Sequence, residues 1–85
     1  MSYGTLVNQL EERLDNRIIA FDNLPGHGGC ILYLEGPVKR IDIERGALER
    51  GVDELAAFVR QMMAGASATI ERVVVGVRGG ALAVM

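Results

Sequence analysis

The sequence has few of the residues that cross-link small proteins or bind metals. Its 85 residues include one cysteine, Cys30, one histidine, His27, and no tryptophan. A single cysteine excludes an internal disulfide and favours a reducing compartment or an inert thiol. One cysteine and one histidine also fall short of the four ligands typical of a structural zinc site. We therefore expect neither a metal nor a cofactor.

Long apolar runs are also missing. No stretch reaches the roughly 18 apolar residues that span a bilayer. The first 15 residues do not resemble a signal peptide, since they lack a basic start and soon turn acidic. We therefore expect a cytoplasmic protein without a membrane partner. The net charge of −2 and the pI near 5.3 argue against tight nonspecific binding to nucleic acid.

Two segments have the apolar spacing of amphipathic helices. The first lies between Thr5 and Asn16, and the second lies between Ala47 and Met63. Their stripes are Leu6, Leu10 and Leu14, then Leu48, Val52, Leu55, Val59 and Met62. Gly51 interrupts the second stripe at a cost of about 1 kcal/mol relative to alanine. Either the helix starts weakly there or the glycine allows a close approach. Gly65 is expected to end the helix.

Five segments have the composition of strands: 17–24, 30–36, 38–44, 69–77 and 81–85. In the third, Ile41 and Ile43 alternate with Arg40, Asp42 and Glu44, which predicts one buried and one wet face. The apolar run 30–34 predicts a central strand, or a strand that is covered on both faces. Gly79-Gly80 has the length and composition of a tight hairpin turn.

The order α-β-β-β-α-β-β predicts one α+β domain over residues 1–85. Two helices would pack on one face of a mainly antiparallel sheet of four to five strands. The other face would then expose apolar side chains, which in a small domain favours contact with a second chain. The candidate interface consists of Ile31, Tyr33, Val73, Val75, Val77, Leu82, Val84 and Met85.

The segment "PGHGGC" places His27 and Cys30 three residues apart on a glycine-rich turn. A histidine there could act as a general base beside a thiol nucleophile. The alternative is a polar turn followed by a cysteine that packs as a small apolar residue. We favour the second interpretation because neither residue has a further partner to orient it, and we predict no catalytic residue.

Two local patterns resemble known families. "VVVGVRGG", ending at Gly79-Gly80 and followed by "ALAVM", resembles the C-terminus of ubiquitin-like and sulfur-carrier precursors, which implies processing after Gly80. That family usually begins with a hairpin, whereas this chain begins with a predicted helix. Residues 1–63 resemble, in element order, the double-stranded RNA-binding domain and related small toxins. Some of those toxins place a catalytic histidine about where His27 lies, but the second helix here begins "ERGALERG" rather than with a lysine cluster.

The sequence as a whole favours a small noncatalytic protein–protein interaction module. It would act as a homo-oligomer, or as a phage or bacterial accessory or inhibitor protein that docks on a protein target. The apolar surplus on the predicted sheet is the main reason. A nucleic-acid-binding domain and a processed carrier precursor are the alternatives.

Overall fold

A computed structural model describes residues 3–14, 17–26 and 28–85, with only the backbone described at Tyr3. It confirms the α+β class, with three helices and a five-stranded sheet among these residues. The elements are α1 (Tyr3–Arg13), β1 (Ile18–Leu24), β2 (Gly29–Leu34), β3 (Arg40–Ile43), α2 (Arg45–Leu48), α3 (Val52–Gly65), β4 (Val73–Arg78) and β5 (Ala81–Val84).

The strands lie in the sheet in the order in which they occur in the chain, from β1 to β5. Neighbours are antiparallel except β3 and β4, which run parallel. A parallel pair needs a long crossover connection, and α2 and α3 supply it. The sheet is therefore mixed, with one parallel junction between a three-stranded part and the C-terminal hairpin.

The predicted second helix is divided into α2 and α3 at Gly51, which has φ +95°. This left-handed backbone favours glycine and interrupts the helical hydrogen-bond pattern. A Cβ built at Gly51 meets no atom within 4 Å, so the close-approach alternative is wrong and the glycine acts through its backbone. Gly65 is the last residue of α3, and Ala66 caps it.

The core lies between the helices and one face of the sheet, as the apolar stripes predict. Leu10, Leu55 and Val59 come from the helices and are almost fully buried. The sheet contributes Leu32, Leu34, Ile41, Ile43, Val73 and Val75 to the same cluster. The opposite face of the sheet, which carries Tyr33, Arg40 and Asp42, is called the open face below.

Three candidate interface residues are buried within the chain itself, which corrects the expectation that they form an exposed surface. Val73 and Val75 point toward the helices and belong to the core. Ile31 is 6% exposed although it lies on the open face, beside Asp42 of the neighbouring strand. Leu82 is partly buried against the core. Val77, Val84 and Met85 remain exposed, and Tyr33 is half-buried.

Strands β2 and β3 approach closely at Gly29. A Cβ there would collide with the carbonyl oxygen of Ile43 and lie 3.2 Å from Cα of Glu44. Both are backbone atoms in a paired strand, so they cannot move aside cheaply. We expect Gly29→Ala to destabilise the protein by about 1–3 kcal/mol, as overpacking does. Thermal unfolding followed by circular dichroism measures the change.

Gly65→Ala is the matched control, because a Cβ at Gly65 meets no atom within 4 Å. Helix propensity should make this change neutral or stabilising, by up to about 1 kcal/mol. Equal melting temperatures for the two variants would show that β2 and β3 are not in close contact at Gly29.

Candidate interaction surface

Cys30 belongs to the first candidate site, the glycine-rich turn that also contains His27 in the sequence. Its side chain is fully buried. Its thiol lies 3.8 Å from the carbonyl oxygen of Ile31, to which it donates a weak hydrogen bond. Burial, with a smaller effect of the nearby Asp22 charge, raises the pKa of Cys30 to about 11. A thiol that stays protonated at neutral pH is a poor nucleophile. His27 lies outside the described residues, so its role stays a prediction.

The part of the chain that the structure describes contains no group of three histidine, cysteine, aspartate or glutamate residues placed to hold a metal ion. None of its described helices combines the length and the apolar character needed to cross a membrane. The chemically distinctive groups that remain are charged side chains on the open face.

Asp42 is the centre of the open face, and its burial corrects the prediction of a wet side chain. It is 0% exposed. Arg40, on the same strand, donates from Nε to Oδ1 over 2.7 Å and from Nη2 to Oδ2 over 3.2 Å. Arg72, just before β4, lies with Nη2 2.6 Å from Oδ2. The two arginines cover the carboxylate, so alternation along β3 gave the correct face but not the burial.

These contacts hold Asp42 in its charged form. Burial by itself favours the neutral acid, but the hydrogen bonds from Arg40 and Arg72 outweigh it and lower the pKa of Asp42 below its ordinary value. The guanidinium carbon of Arg40 also lies 5.9 Å from the centre of the Tyr33 ring, within cation–π range. The middle of the open face is therefore an internally paired polar cluster and not the apolar surface that the sequence predicted.

Exposed apolar side chains lie instead at the two edges of the sheet. Among the described residues, the large ones are Ile19 and Phe21 on β1, then Val77, Val84 and Met85 on the C-terminal hairpin. Both edges thus combine apolar side chains with strand backbone that has no neighbour on one side. Such edges are templates for pairing with another chain unless they are protected.

The β1 edge is protected by acidic side chains. The carboxylate of Glu11, on α1, accepts the amide hydrogen of Ile18 over 3.0 Å. Asp22 accepts the amide hydrogen of Asn23 over 2.8 Å. The pairing with β2 also shifts register between Ile18 and Ala20. Occupied amides, charged residues and an irregular register are common features of strand edges that do not pair.

The β5 edge has no comparable protection. Gly79 and Gly80 have φ of +61° and +81°, as a type I′ turn requires, and β5 pairs with β4. The hairpin prediction is thereby confirmed. Met85 donates its amide hydrogen to the Val74 carbonyl over 2.8 Å. Because hydrogen-bonded pairs alternate along an antiparallel ladder, the amides of Leu82 and Val84 point outward.

Within residues 3–14, 17–26 and 28–85, no side chain accepts a hydrogen bond from those two amides. The side chain of Met85 extends toward Gly76, where an added Cβ would lie 3.0 Å from its Cγ. We call the β5 backbone, with the side chains of Val77, Leu82, Val84 and Met85, the hairpin strip. Unlike the β1 edge, it has no carboxylate bound to an outward amide among the described residues.

Asp42 should make stability depend on pH. Its pKa is lower in the folded state, so its stabilising contribution is present above the unfolded pKa and is lost as pH falls through the folded pKa. Asp42→Asn should lower the unfolding free energy at pH 7 by about 2 kcal/mol, as loss of charged hydrogen bonds does, and should weaken the pH dependence. Urea unfolding at pH 7 and at pH 3 measures both effects.

Asp53→Asn is the control for Asp42. Asp53 also pairs with an arginine, Arg13, over 2.8 Å, but its side chain is 90% exposed. An exposed pair contributes little, so this change should shift stability by less than about 1 kcal/mol. Comparable losses in the two variants would contradict a special role for the buried carboxylate.

Cys30 should be unreactive in the folded protein because it is buried and protonated. We expect Ellman's reagent to label it only after urea unfolding. A Cys30→Ser protein that carries Ser67→Cys, at an exposed position, should react at once. Rapid labelling of Cys30 in the native protein would contradict its burial and would support the interpretation of the glycine-rich turn as a reactive site.

The chain was compared with protein families, with curated proteins and with solved structures, and no match was found in any of the three. Three features of the structure bear on function: a protonated buried thiol, a paired polar cluster on the open face, and the hairpin strip.

Proposed function

We propose that this chain is a small noncatalytic protein–protein interaction module that acts through the hairpin strip. It would work by self-association or by docking on a protein target, as an accessory or inhibitor protein. The observation that carries the proposal is the difference between the two sheet edges. Carboxylates occupy the outward amides of Ile18 and Asn23, at the two ends of β1, whereas neither outward amide of β5 has such a partner among the described residues.

The composition of the hairpin strip supports this proposal. Residues 79–85 contain no charged side chain, and Val84 and Met85 are 52% and 51% exposed. Centres of protein interfaces are depleted in charge and enriched in methionine. An exposed strand edge recruits a further strand through main-chain hydrogen bonds, and neighbouring side chains give specificity.

The remaining chemistry supports a noncatalytic role. The thiol of Cys30 is buried, and the charge of Asp42 is taken up by Arg40 and Arg72. Both groups have structural roles that account for them. A single buried free cysteine is also compatible with a reducing compartment, so the proposal retains a cytoplasmic location.

The two alternatives stay predictions, with less support. For nucleic-acid binding, the second helical region would need free positive charge, but Arg50 lies 2.8 Å from Glu54 and Arg45 lies 3.5 Å from Glu49. For processing after Gly80, cleavage would have to enter a paired hairpin and remove Leu82, which packs on the core.

Solution mass over a range of concentrations tests the proposal. We expect the wild-type protein to associate as concentration rises in sedimentation equilibrium. Val84→Asp should abolish association, because it places a charge in the apolar strip. Ile19→Asp is the matched control: Ile19 is 60% exposed, on the protected β1 edge, so this variant should associate like the wild type.

Two results would contradict parts of the proposal. A wild-type protein that stays monomeric up to millimolar concentration would exclude self-association and leave docking on a protein target as the only mode. Dissociation by Ile19→Asp but not by Val84→Asp would place the contact on the β1 edge instead.

A further inference from the structure

We infer that the occupant of the hairpin strip is a second copy of this chain. The two β5 strands would pair antiparallel around Ala83 and join two five-stranded sheets into one continuous sheet. This inference rests on the proposed function and specifies its partner, its strand direction and its register.

The backbone determines the register. In β5, the amide and carbonyl groups of Leu82 and Val84 face outward, and those of Ala83 face β4. When two copies run antiparallel, Leu82 of each lies opposite Val84 of the other, which forms four hydrogen bonds. Ala83 then lies opposite Ala83 of the second copy, as a non-hydrogen-bonded pair with Cα atoms about 4.5 Å apart.

The side chains fit the same arrangement. Leu82 and Val84 share one face of β5, and Ala83 lies on the other, since direction alternates along a strand. Each exposed Val84 would pack beside Leu82 of the second copy. At the two-fold axis, where side chains approach most closely, each chain contributes only the methyl group of Ala83. The strand is therefore complementary to itself, as an isologous contact requires.

Charge also favours two identical strands here. A symmetric contact places every charge opposite its own kind, but residues 79–85 carry no charged side chain. The nearest charged groups are Arg78, paired with Ala81, and the carboxylate of Glu44, which lies over Gly76, the partner of Ala83. In the inferred register the two Arg78 residues would lie about 20 Å apart and the two Gly76 residues about 14 Å apart, from ordinary strand spacings. Both distances exceed the Debye length of about 8 Å at physiological ionic strength.

The protected β1 edge limits assembly to a closed pair. If β1 of one copy could pair with β5 of another, the sheet would grow without end. Glu11 and Asp22 occupy the outward amides of Ile18 and Asn23, at the two ends of β1, and oppose pairing along the full strand. A contact through one four-residue strand per copy lies at the low end of interface sizes. We therefore expect a dimer in concentration-dependent equilibrium with monomer.

Disulfide trapping tests the register. In a Cys30→Ser background, Ala83→Cys should form a disulfide-linked dimer rapidly under mild oxidation, because the paired Cα atoms would lie within bonding range. Ala81→Cys is the matched control, on the same strand and the same face. The two residues at position 81 would lie about 14 Å apart, too far for a disulfide.

A second variant tests the hydrogen bonds. Val84→Pro removes an amide that points outward, so it should spare the pairing of β5 with β4. It would remove two intermolecular hydrogen bonds per dimer and weaken association about 30-fold. Val84→Thr keeps the amide and the β-branched shape, so it should stay close to the wild type. Circular dichroism melts at low concentration should show that both variants are folded.

The outcomes separate this inference from the proposed function. If the wild type associates, but Ala83→Cys is trapped no faster than Ala81→Cys and Val84→Pro keeps its affinity, the β5 pairing is wrong and the interaction module stands. If the wild type never associates, the inferred dimer is wrong, and the interaction module stands only as docking on a protein target. Rapid trapping of Ala83→Cys together with weakened association of Val84→Pro supports the inferred dimer.

Discussion

The buried carboxylate of Asp42 connects the two parts of the sheet. Strands β3 and β4 form the single parallel junction among the described strands; three residue pairs join them, and a parallel bridge between Val38 and Ile70 precedes them. Arg72 approaches from the β4 side and Arg40 from β3, and both bind the same carboxylate. A buried charge is tolerated only when it is fully paired, so this cluster favours the observed register, together with the Val38–Ile70 bridge and the packing of Val73 and Val75 in the core. These contacts position the C-terminal hairpin and, with it, the proposed interaction surface.

The same cluster explains why the open face is not the interface that the sequence indicated. Alternation along 38–44 shows that Asp42 and Ile41 lie on opposite faces, but not what covers either one. The cover comes from Arg72, 30 positions later, and its place beside Asp42 depends on a parallel register that no local pattern encodes. Ile31 is likewise buried among its neighbours on that face. The apolar residues were identified correctly, and their surroundings were not.

Features set by short-range chemistry were predictable. The helix stripes, with Leu10 and Val59 in the core, follow from spacing, and the Gly79-Gly80 turn follows from its need for positive φ. Features set by long-range contacts were not. The segment 73–77 is apolar on both faces, so the sequence does not show which face of the strand is covered. The helices cover the face that carries Val73 and Val75, and this places both residues in the core. The hydrogen bond from the Ile18 amide to Glu11 was not predictable either, because in the sequence Glu11 is only one of several polar residues on the first helix.

Small size connects these observations. A chain of 85 residues buries a modest fraction of its surface, so its stability is marginal. This chain nevertheless exposes Val84 and Met85 at an unprotected edge while it uses Glu11 and Asp22 to protect the other. General selection against aggregation would act on both edges alike. Protection of one edge only is what a single closed contact requires: it leaves β5 free to pair once and prevents the sheet from extending further.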